Sequence, residues 1–173
     1  KKYITNSNVN FNGYSVNLTF GFGIKGVNAF NQNNIIAYGD YGLIPAILYS
    51  TNGGTSYTLI YHSQFNSQYL STGITDMIFP QNGSIGYAID ADRILKTTNQ
   101  GLSWVPVLTS PNSCYDRLDA TDNNNIFAIS DYSISNILFP NGRTFINNKI
   151  DYTNNAGTNW NRLNTPTGQI KSA

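Results

Sequence analysis

The stretch Thr97-Thr98-Asn99-Gln100-Gly101-Leu102-Ser103-Trp104 carries the pattern that decides the fold of this chain. The pattern places a hydroxyl residue, an Asn two positions later, a Gly two positions after that, and an aromatic residue three positions after the Gly. Two further copies begin at Ser50 and Thr153. The repeated positions are Ser50, Asn52, Gly54 and Tyr57 in the first copy, Thr97, Asn99, Gly101 and Trp104 in the second, and Thr153, Asn155, Gly157 and Trp160 in the third.

Each residue type in the pattern suits a tight turn between two strands. The hydroxyl and the Asn side chain can bond the backbone groups of the turn. The Gly adopts a left-handed conformation at little steric cost, and the aromatic residue packs back onto the sheet. The pattern therefore predicts a hairpin turn whose role is to stabilise the fold.

Short runs of β-branched and aromatic residues surround every copy and alternate with clusters of Asn, Asp, Gly and Pro. Before the second copy these runs are 76–79, 85–89 and 93–96, and 104–108 follows it. Such runs are typical of antiparallel strands joined by tight turns. Four strands in a unit of roughly 45 residues is the period of a propeller blade. We therefore expect an all-β chain built as a β-propeller segment of about three four-stranded antiparallel blades.

The composition agrees with an all-β chain and excludes several functions. Charged residues make up 11% of the 173 residues and Glu is absent, which disfavours long solvated helices. A net charge of +1, with scattered basic residues, favours neither nucleic acid nor an anionic membrane surface. No apolar run is long enough to predict membrane insertion. The single cysteine, Cys114, allows no internal disulfide.

The three copies resemble the Asp-box repeats, also called bacterial neuraminidase repeats, of sialidases, sortilin-type receptors and photosystem-assembly-factor propellers. All three copies have Asn where that family has its Asp, at Asn52, Asn99 and Asn155. The amide preserves the hydrogen-bonding geometry and removes the charge. The resemblance implies a propeller fold and says much less about activity.

The order of strand runs divides the chain into units of one domain. Residues 1–26 are predicted to be strands of a preceding or incomplete blade, residues 27–61, 62–108 and 109–163 to be three blades, and residues 164–173 to open a following blade. Because closed propellers have four or more blades, we expect part of a larger propeller or association with further copies.

The end of the blades opposite the pattern turns is the predicted binding surface, because its loops differ from unit to unit. The third unit carries a long hairpin, 131–149, which we interpret as a recognition arm; the alternatives are a lid packed on a neighbouring blade or a tolerated insertion. The candidate binding residues are Asp40, Tyr41, Asp92, Arg93, Tyr132, Phe139 and Arg143.

A catalytic function is not expected. The resemblance to sialidases would require a Tyr nucleophile assisted by Glu, and the chain has no Glu. His62 is the single histidine, and turn formation explains Asp90 and Asp92 better than a catalytic carboxylate pair. The spacing of His, Cys and Asp residues predicts no metal site, and no cofactor is expected.

The resulting hypothesis is a non-catalytic recognition or scaffolding module of a secreted or cell-surface bacterial protein. Its expected partner is a protein or a glycan, or further blades of the same protein. Two alternatives stay open: a fragment of a sialidase-like carbohydrate-active enzyme whose catalytic residues lie outside this chain, and a structural subunit of a larger assembly.

Overall fold

The computed structural model describes residues 2–4, 8–11, 14–17, 22–41, 44–63, 73–110, 115–130 and 149–163. Strands and turns make up these residues, apart from a short 3-10 turn at Pro80–Asn82. None of their helical segments is long and apolar enough to cross a membrane. The predicted all-β fold class is confirmed.

Three sheets contain all the strands of the described residues. The first comprises β1 (Lys2–Ile4), β2 (Asn8–Phe11), β3 (Tyr14–Asn17), β4 (Phe22–Ala29), β5 (Ile35–Tyr41), β6 (Ile44–Ser50) and β7 (Tyr57–His62). The second comprises β8 (Ile74–Ile78), β9 (Gly86–Asp90), β10 (Arg93–Thr97) and β11 (Val105–Thr109). The third comprises β12 (Arg117–Ala120), β13 (Ile126–Ser130), β14 (Lys149–Thr153) and β15 (Asn161–Leu163).

Four consecutive antiparallel strands recur in each sheet: β4 to β7, β8 to β11 and β12 to β15. We call these blades 1, 2 and 3. The sequence places residues 1–26 in a preceding or incomplete blade, but β1 pairs with β4 and the β2–β3 hairpin pairs with β7. These strands lie in the first sheet, where they satisfy edge backbone groups. The predicted unit boundaries at residues 27, 62, 109 and 164 stay predictions.

The three blades share one register around the pattern turns. The hydroxyl residues Ser50, Thr97 and Thr153 stand opposite Ile35, Gly86 and Ile126, the first residues of the second strands. Counting from these pairs aligns the positions of the second and third strands of one blade with their counterparts in the other two. The equivalences used below all follow from this register.

The sheets bury their apolar faces against one another. Residues from both blade 1 and blade 2 pack together in one cluster, which consists of Ile36, Ile47, Tyr49, Ile74, Met77, Ala88, Leu95 and Trp104. Residues shared between blades 2 and 3 and their connection form another: Tyr87, Ile89, Ile94, Tyr115, Leu118, Ile126 and Ala128. Since side chains alternate between the faces of a strand, each blade contributes one face to each contact.

Two of the pattern-turn glycines, Gly101 and Gly157, lie where one blade touches the preceding one. Gly101 has φ +83°, and a Cβ there would collide with Ile36 of blade 1, which is completely buried. Gly54 has φ +84°, but a Cβ there would meet the hydroxyl end of Tyr57, at 2.9 Å. Gly101 and Gly54 thus share a backbone conformation and differ in what surrounds them.

Gly101→Ala should therefore cost more stability than Gly54→Ala. Left-handed strain applies to both and costs about 1–2 kcal/mol. Overpacking against Ile36 adds about 1–3 kcal/mol to Gly101→Ala alone. Urea titrations of the two variants would measure the difference in unfolding free energy. Equal losses of unfolding free energy would show that Ile36 of blade 1 does not restrict the side chain at position 101.

Candidate functional site

The pattern turns lie at one end of the blades, beside the turns that join the first and second strands. One backbone hydrogen bond links the two turns in every blade: Gly53 N to Asn33 O at 3.0 Å, Gln100 N to Ser84 O at 2.9 Å, and Ala156 N to Asn124 O at 3.1 Å. In blade 2 the turn between the second and third strands lies at the opposite end, where Asp90 pairs with Arg93. The predicted distribution of turns between the two ends is confirmed for blade 2.

Side chains inside each pattern turn bond the turn itself. In the second turn, Thr97 Oγ1 donates to Asn99 Oδ1 at 2.9 Å and accepts from Gly101 N at 2.9 Å. Asn99 Oδ1 also accepts from Ser103 N at 3.0 Å. The same bonds recur in the other two copies. Asn therefore bonds the turn without a negative charge, and a structural role for these residues stays a prediction.

The opposite end holds the described members of the predicted binding set. Asp40 and Tyr41 end β5, Asp92 lies in the turn after β9, and Arg93 begins β10. Asp40 and Tyr41 are half-buried, whereas Asp92 is buried. Three predicted residues, Tyr132, Phe139 and Arg143, lie outside the described residues, as does the predicted arm apart from Lys149.

Arg93 is held by partners from two blades. Its Nη2 donates to Asp90 Oδ2 and to Ser63 Oγ, each at 2.5 Å. Tyr61, also from blade 1, donates its hydroxyl to the same Asp90 oxygen. Asp90 is only 1% exposed, while the Arg93 side chain is 31% exposed. This Asp90 cluster joins blades 1 and 2 and leaves part of the Arg93 side chain open to solvent.

A second polar cluster joins blades 2 and 3. Asp151 Oδ2 accepts from Tyr115 at 2.5 Å and pairs with Lys149 Nζ at 2.9 Å, and its other oxygen accepts from Arg162 Nε at 3.0 Å. Lys149 Nζ also donates to Ser110 Oγ at 2.9 Å. Lys149 and Asp151 are buried, whereas the Arg162 side chain is 48% exposed. We call this group the Asp151 cluster.

Both clusters use the same places in the repeat. Arg93 and Lys149 each begin a third strand four residues before the pattern hydroxyl, and each donates to the Ser that follows the fourth strand of the preceding blade. Asp151 stands where blades 1 and 2 have Leu48 and Leu95. Sequence reasoning missed this cluster, although an Asp two residues before the third pattern copy was the available signal.

Burial and the two aspartates shift the titration of these groups. Burial, reinforced by Asp90 and Asp151, raises the pKa of Tyr61 and of Tyr115 far above the usual value. Burial lowers the pKa of Lys149, and pairing with Asp151 offsets part of this change. Burial alone raises the pKa of Asp151, but the bonds from Arg162, Tyr115 and Lys149 outweigh it and leave that pKa below its usual value.

Alkaline pH should destabilise the fold. Burial raises the pKa of Tyr87 from 10.0 to about 12, and Tyr61 and Tyr115 shift in the same direction. The unfolded chain loses these protons near pH 10 while the folded chain keeps them, so stability is complete below pH 10 and falls as pH rises. Urea midpoints between about pH 8 and pH 12 would measure the fall. A flat profile would contradict it, and Tyr87→Phe should reduce its slope.

Within each cluster, most of the polar groups are hydrogen-bonded to other members of the same cluster. Both aspartates are buried and bonded by a tyrosine and a cation. Within the described ranges, no three His, Cys, Asp or Glu side chains come together as metal ligands. Arg93 differs, because both of its described hydrogen bonds use Nη2 and its side chain reaches solvent.

No protein-family model and no curated protein sequence matches this chain. Solved structures do match. YCF48 bound to a D1 peptide is similar over 92% of this chain and 45% of that one, with 16% identity and a TM-score of 0.59. An ancestral GH74 enzyme is similar over 85% of this chain and 19% of that one, with 17% identity and a TM-score of 0.59. The chain thus spans less than half of either neighbour.

Both neighbours are β-propellers, and at these identities the likeness concerns the fold alone. The class of protein is therefore established: the chain has the β-propeller fold, with blades 1 to 3 as its four-stranded units. The prediction of a propeller segment is confirmed.

Proposed function

We propose that this chain is a non-catalytic recognition or scaffolding part of a propeller and binds a protein partner at the end opposite the pattern turns. The observation that carries the proposal is Arg93. Its guanidinium is held in place by Asp90 and Ser63, and its side chain is still 31% exposed. A fixed guanidinium loses little entropy when it bonds a carbonyl or carboxylate of a partner.

The contrast between the two ends supports this choice of surface. In all three blades the hydroxyl of the pattern turn is hydrogen-bonded to the backbone of the same turn. The residues at the opposite end differ between blades: blade 1 has Asp40 and Tyr41 there, and blade 2 has Asp92 and Arg93. YCF48, a protein of the same fold, has been solved with a bound peptide. A glycan remains the alternative partner.

Membership of the Asp-box family and a secreted or cell-surface bacterial location complete the proposal. The hydrogen bonds of the three pattern turns support the family assignment, because Asn makes there the bonds expected of an Asp. An extracytoplasmic location is consistent with a composition rich in Asn, Ser, Thr and Tyr. Immunolabelling of intact and permeabilised cells would test the location.

Screening the protein against a peptide library and a glycan array tests the binding proposal. Peptide hits should bind at least about tenfold more weakly to Arg93→Lys, which keeps the positive charge and loses the planar, bidentate guanidinium. Thr98→Ala, an exposed change in a pattern turn, is the matched control and should leave the affinity unchanged. Loss of affinity in Thr98→Ala alone would move the site to the other end. Glycan hits alone would replace the peptide partner.

An enzyme is the second candidate function, because a GH74 enzyme shares the fold. We propose that the chain itself is not catalytic, since Asp90 is 1% exposed and already bonded by Tyr61 and Arg93. No turnover is expected with a panel of aryl glycosides that includes a sialoside. Turnover that Asp90→Asn or Asp92→Asn abolishes would overturn the binding proposal in favour of the enzyme.

A further inference from the structure

The face of blade 3 that points away from blade 2 is apolar and only half-buried. It carries Phe127 and Ile129 on β13 and Ile150 and Tyr152 on β14. These residues pair across the strands, and the rings of Phe127 and Tyr152 stack with centroids 6.2 Å apart. Their neighbours Ile126 and Ala128 point the other way and are completely buried against blade 2.

At two of these four positions, those of Phe127 and Ile150, the equivalent residues of the other two blades are fully buried. The common register equates Phe127 with Ile36 and Tyr87, and Ile150 with Ile47 and Ile94. Those four counterparts are all 0% exposed. Ile36 and Ile47 belong to the cluster shared with blade 2, and Tyr87 and Ile94 belong to the cluster shared with blade 3. Burial at these positions therefore comes from the next blade along the chain.

The contacts at the existing junctions show which part of the next blade covers this face. Its pattern turn does: Gly101 packs on Ile36, and a Cβ on Gly157 would lie 3.5 Å from the Tyr87 ring. Lys96 of blade 2 donates its Nζ to Ala156 O of that turn at 2.6 Å. Tyr152 has the position of Lys96 in blade 3.

We propose that the outer face of blade 3 binds a further four-stranded blade of the same polypeptide. The pattern-type turn of that blade lies over Phe127, and the Tyr152 hydroxyl takes the place of Lys96 as a donor to a carbonyl of the turn. The inference goes beyond the proposed binding function and does not depend on it.

Two observations favour this occupant over a second copy of the chain. The residues on the far face of blade 1 are already covered, with Phe22 at 1%, Ala37 at 0% and Leu48 at 1% exposure. A second copy therefore finds no open blade 1 face with which to repeat the blade 2 to blade 3 contact. The chain also spans only 45% of YCF48, so a propeller of that size has room for further blades.

Photocross-linking from position 152 of the native polypeptide tests the proposal. Tyr152→p-benzoylphenylalanine should cross-link within one polypeptide to a segment outside residues 1–173 that contains a pattern-type turn. The matched control is Lys96→p-benzoylphenylalanine, which should cross-link to Ala156 or Gly157. Val105, which is 58% exposed, is the control for a position without a covering blade.

Several outcomes would overturn the proposal: a cross-link to residues 131–148, a cross-link between copies in a mixture of ¹⁴N- and ¹⁵N-labelled protein, a cross-link to another protein, or none. Radical footprinting of the unsubstituted native protein is the second measurement. Modification of Tyr152 as slow as that of Tyr87 supports a covering blade. Modification more than about tenfold faster shows that the face is open.

Discussion

Trp104→Ala is expected to lower the free energy of unfolding by about 3–5 kcal/mol, the range for large aromatic deletions in cores. Trp104 is 8% exposed and belongs to the cluster between blades 1 and 2. Its ring meets Phe79 edge to face at 5.9 Å, and its Nε1 donates to Gly101 O at 2.9 Å. The substitution therefore removes apolar contacts between blades together with a bond that closes the pattern turn.

Two other substitutions provide controls for Trp104→Ala. Leu102→Ala changes a residue of the same turn that is 53% exposed and should alter stability by no more than about 0.5 kcal/mol. Trp160→Ala changes the equivalent aromatic residue of blade 3, which is half-buried, and should cost less than Trp104→Ala. Chemical denaturation would measure all three. A neutral Trp104→Ala would show that the pattern aromatic does not anchor the hairpin.

Asp151→Ala is expected to cost about 3–5 kcal/mol, because it leaves the buried Lys149 ammonium without its carboxylate. Arg162 also loses its partner, but its side chain is 48% exposed and can turn to water. The loss should therefore come mainly from Lys149. Urea denaturation at neutral pH would measure the loss, and a neutral substitution would show that the cluster does not hold blades 2 and 3 together.

The equivalent positions of blade 1 show which apolar residues can replace Lys149 and Asp151. Blade 1 has Ala46 and Leu48 where blade 3 has Lys149 and Asp151. Replacement of a buried ion pair by apolar residues is often neutral. The double variant Lys149→Ala with Asp151→Leu should thus regain most of the stability that Asp151→Ala loses. A double variant less stable than Asp151→Ala would show that the position tolerates only the polar cluster.

The Asp151 contribution should also depend on pH. The folded-state pKa of Asp151 lies below its usual value of 3.8. Its stabilising effect is therefore complete above that value and is lost as pH falls through the lower folded-state pKa. The difference in stability between the unchanged protein and Asp151→Leu should shrink below about pH 4. An unchanged difference at low pH would mean that the carboxylate does not stabilise this junction through its charge.

The pattern turns were predictable from the sequence because their interactions are local. Thr97, Asn99 and Gly101 lie within five residues of one another, and their bonds close inside that segment. A residue such as Asn99 needs no distant partner to adopt this geometry. The copies also recur at blade intervals, so the number of sheets and the class of fold followed from the same pattern.

The polar clusters were not predictable in the same way, because their members come from distant parts of the chain. Asp90 was interpreted as a turn residue. In the folded chain it is buried and joins blades 1 and 2 through hydrogen bonds from Tyr61 and Arg93. Lys149 was assigned to a projecting arm, yet it is buried between blades 2 and 3. The predicted binding residues Asp40 and Tyr41 lie at the expected end, and whether they contact a partner stays a prediction.

The all-β class, the four-strand period and the hydrogen-bonded turns follow from the amino-acid sequence, since each of these depends on residue types a few positions apart. The stacking of the sheets, the pairing of strands at the edges of the first sheet, and the buried aspartate at a leucine position between blades 2 and 3 became visible only in the folded chain. Burial and charge pairing arise there because surfaces from distant parts of the chain meet. Lys149 and Tyr115 reach Asp151 only after blades 2 and 3 have packed.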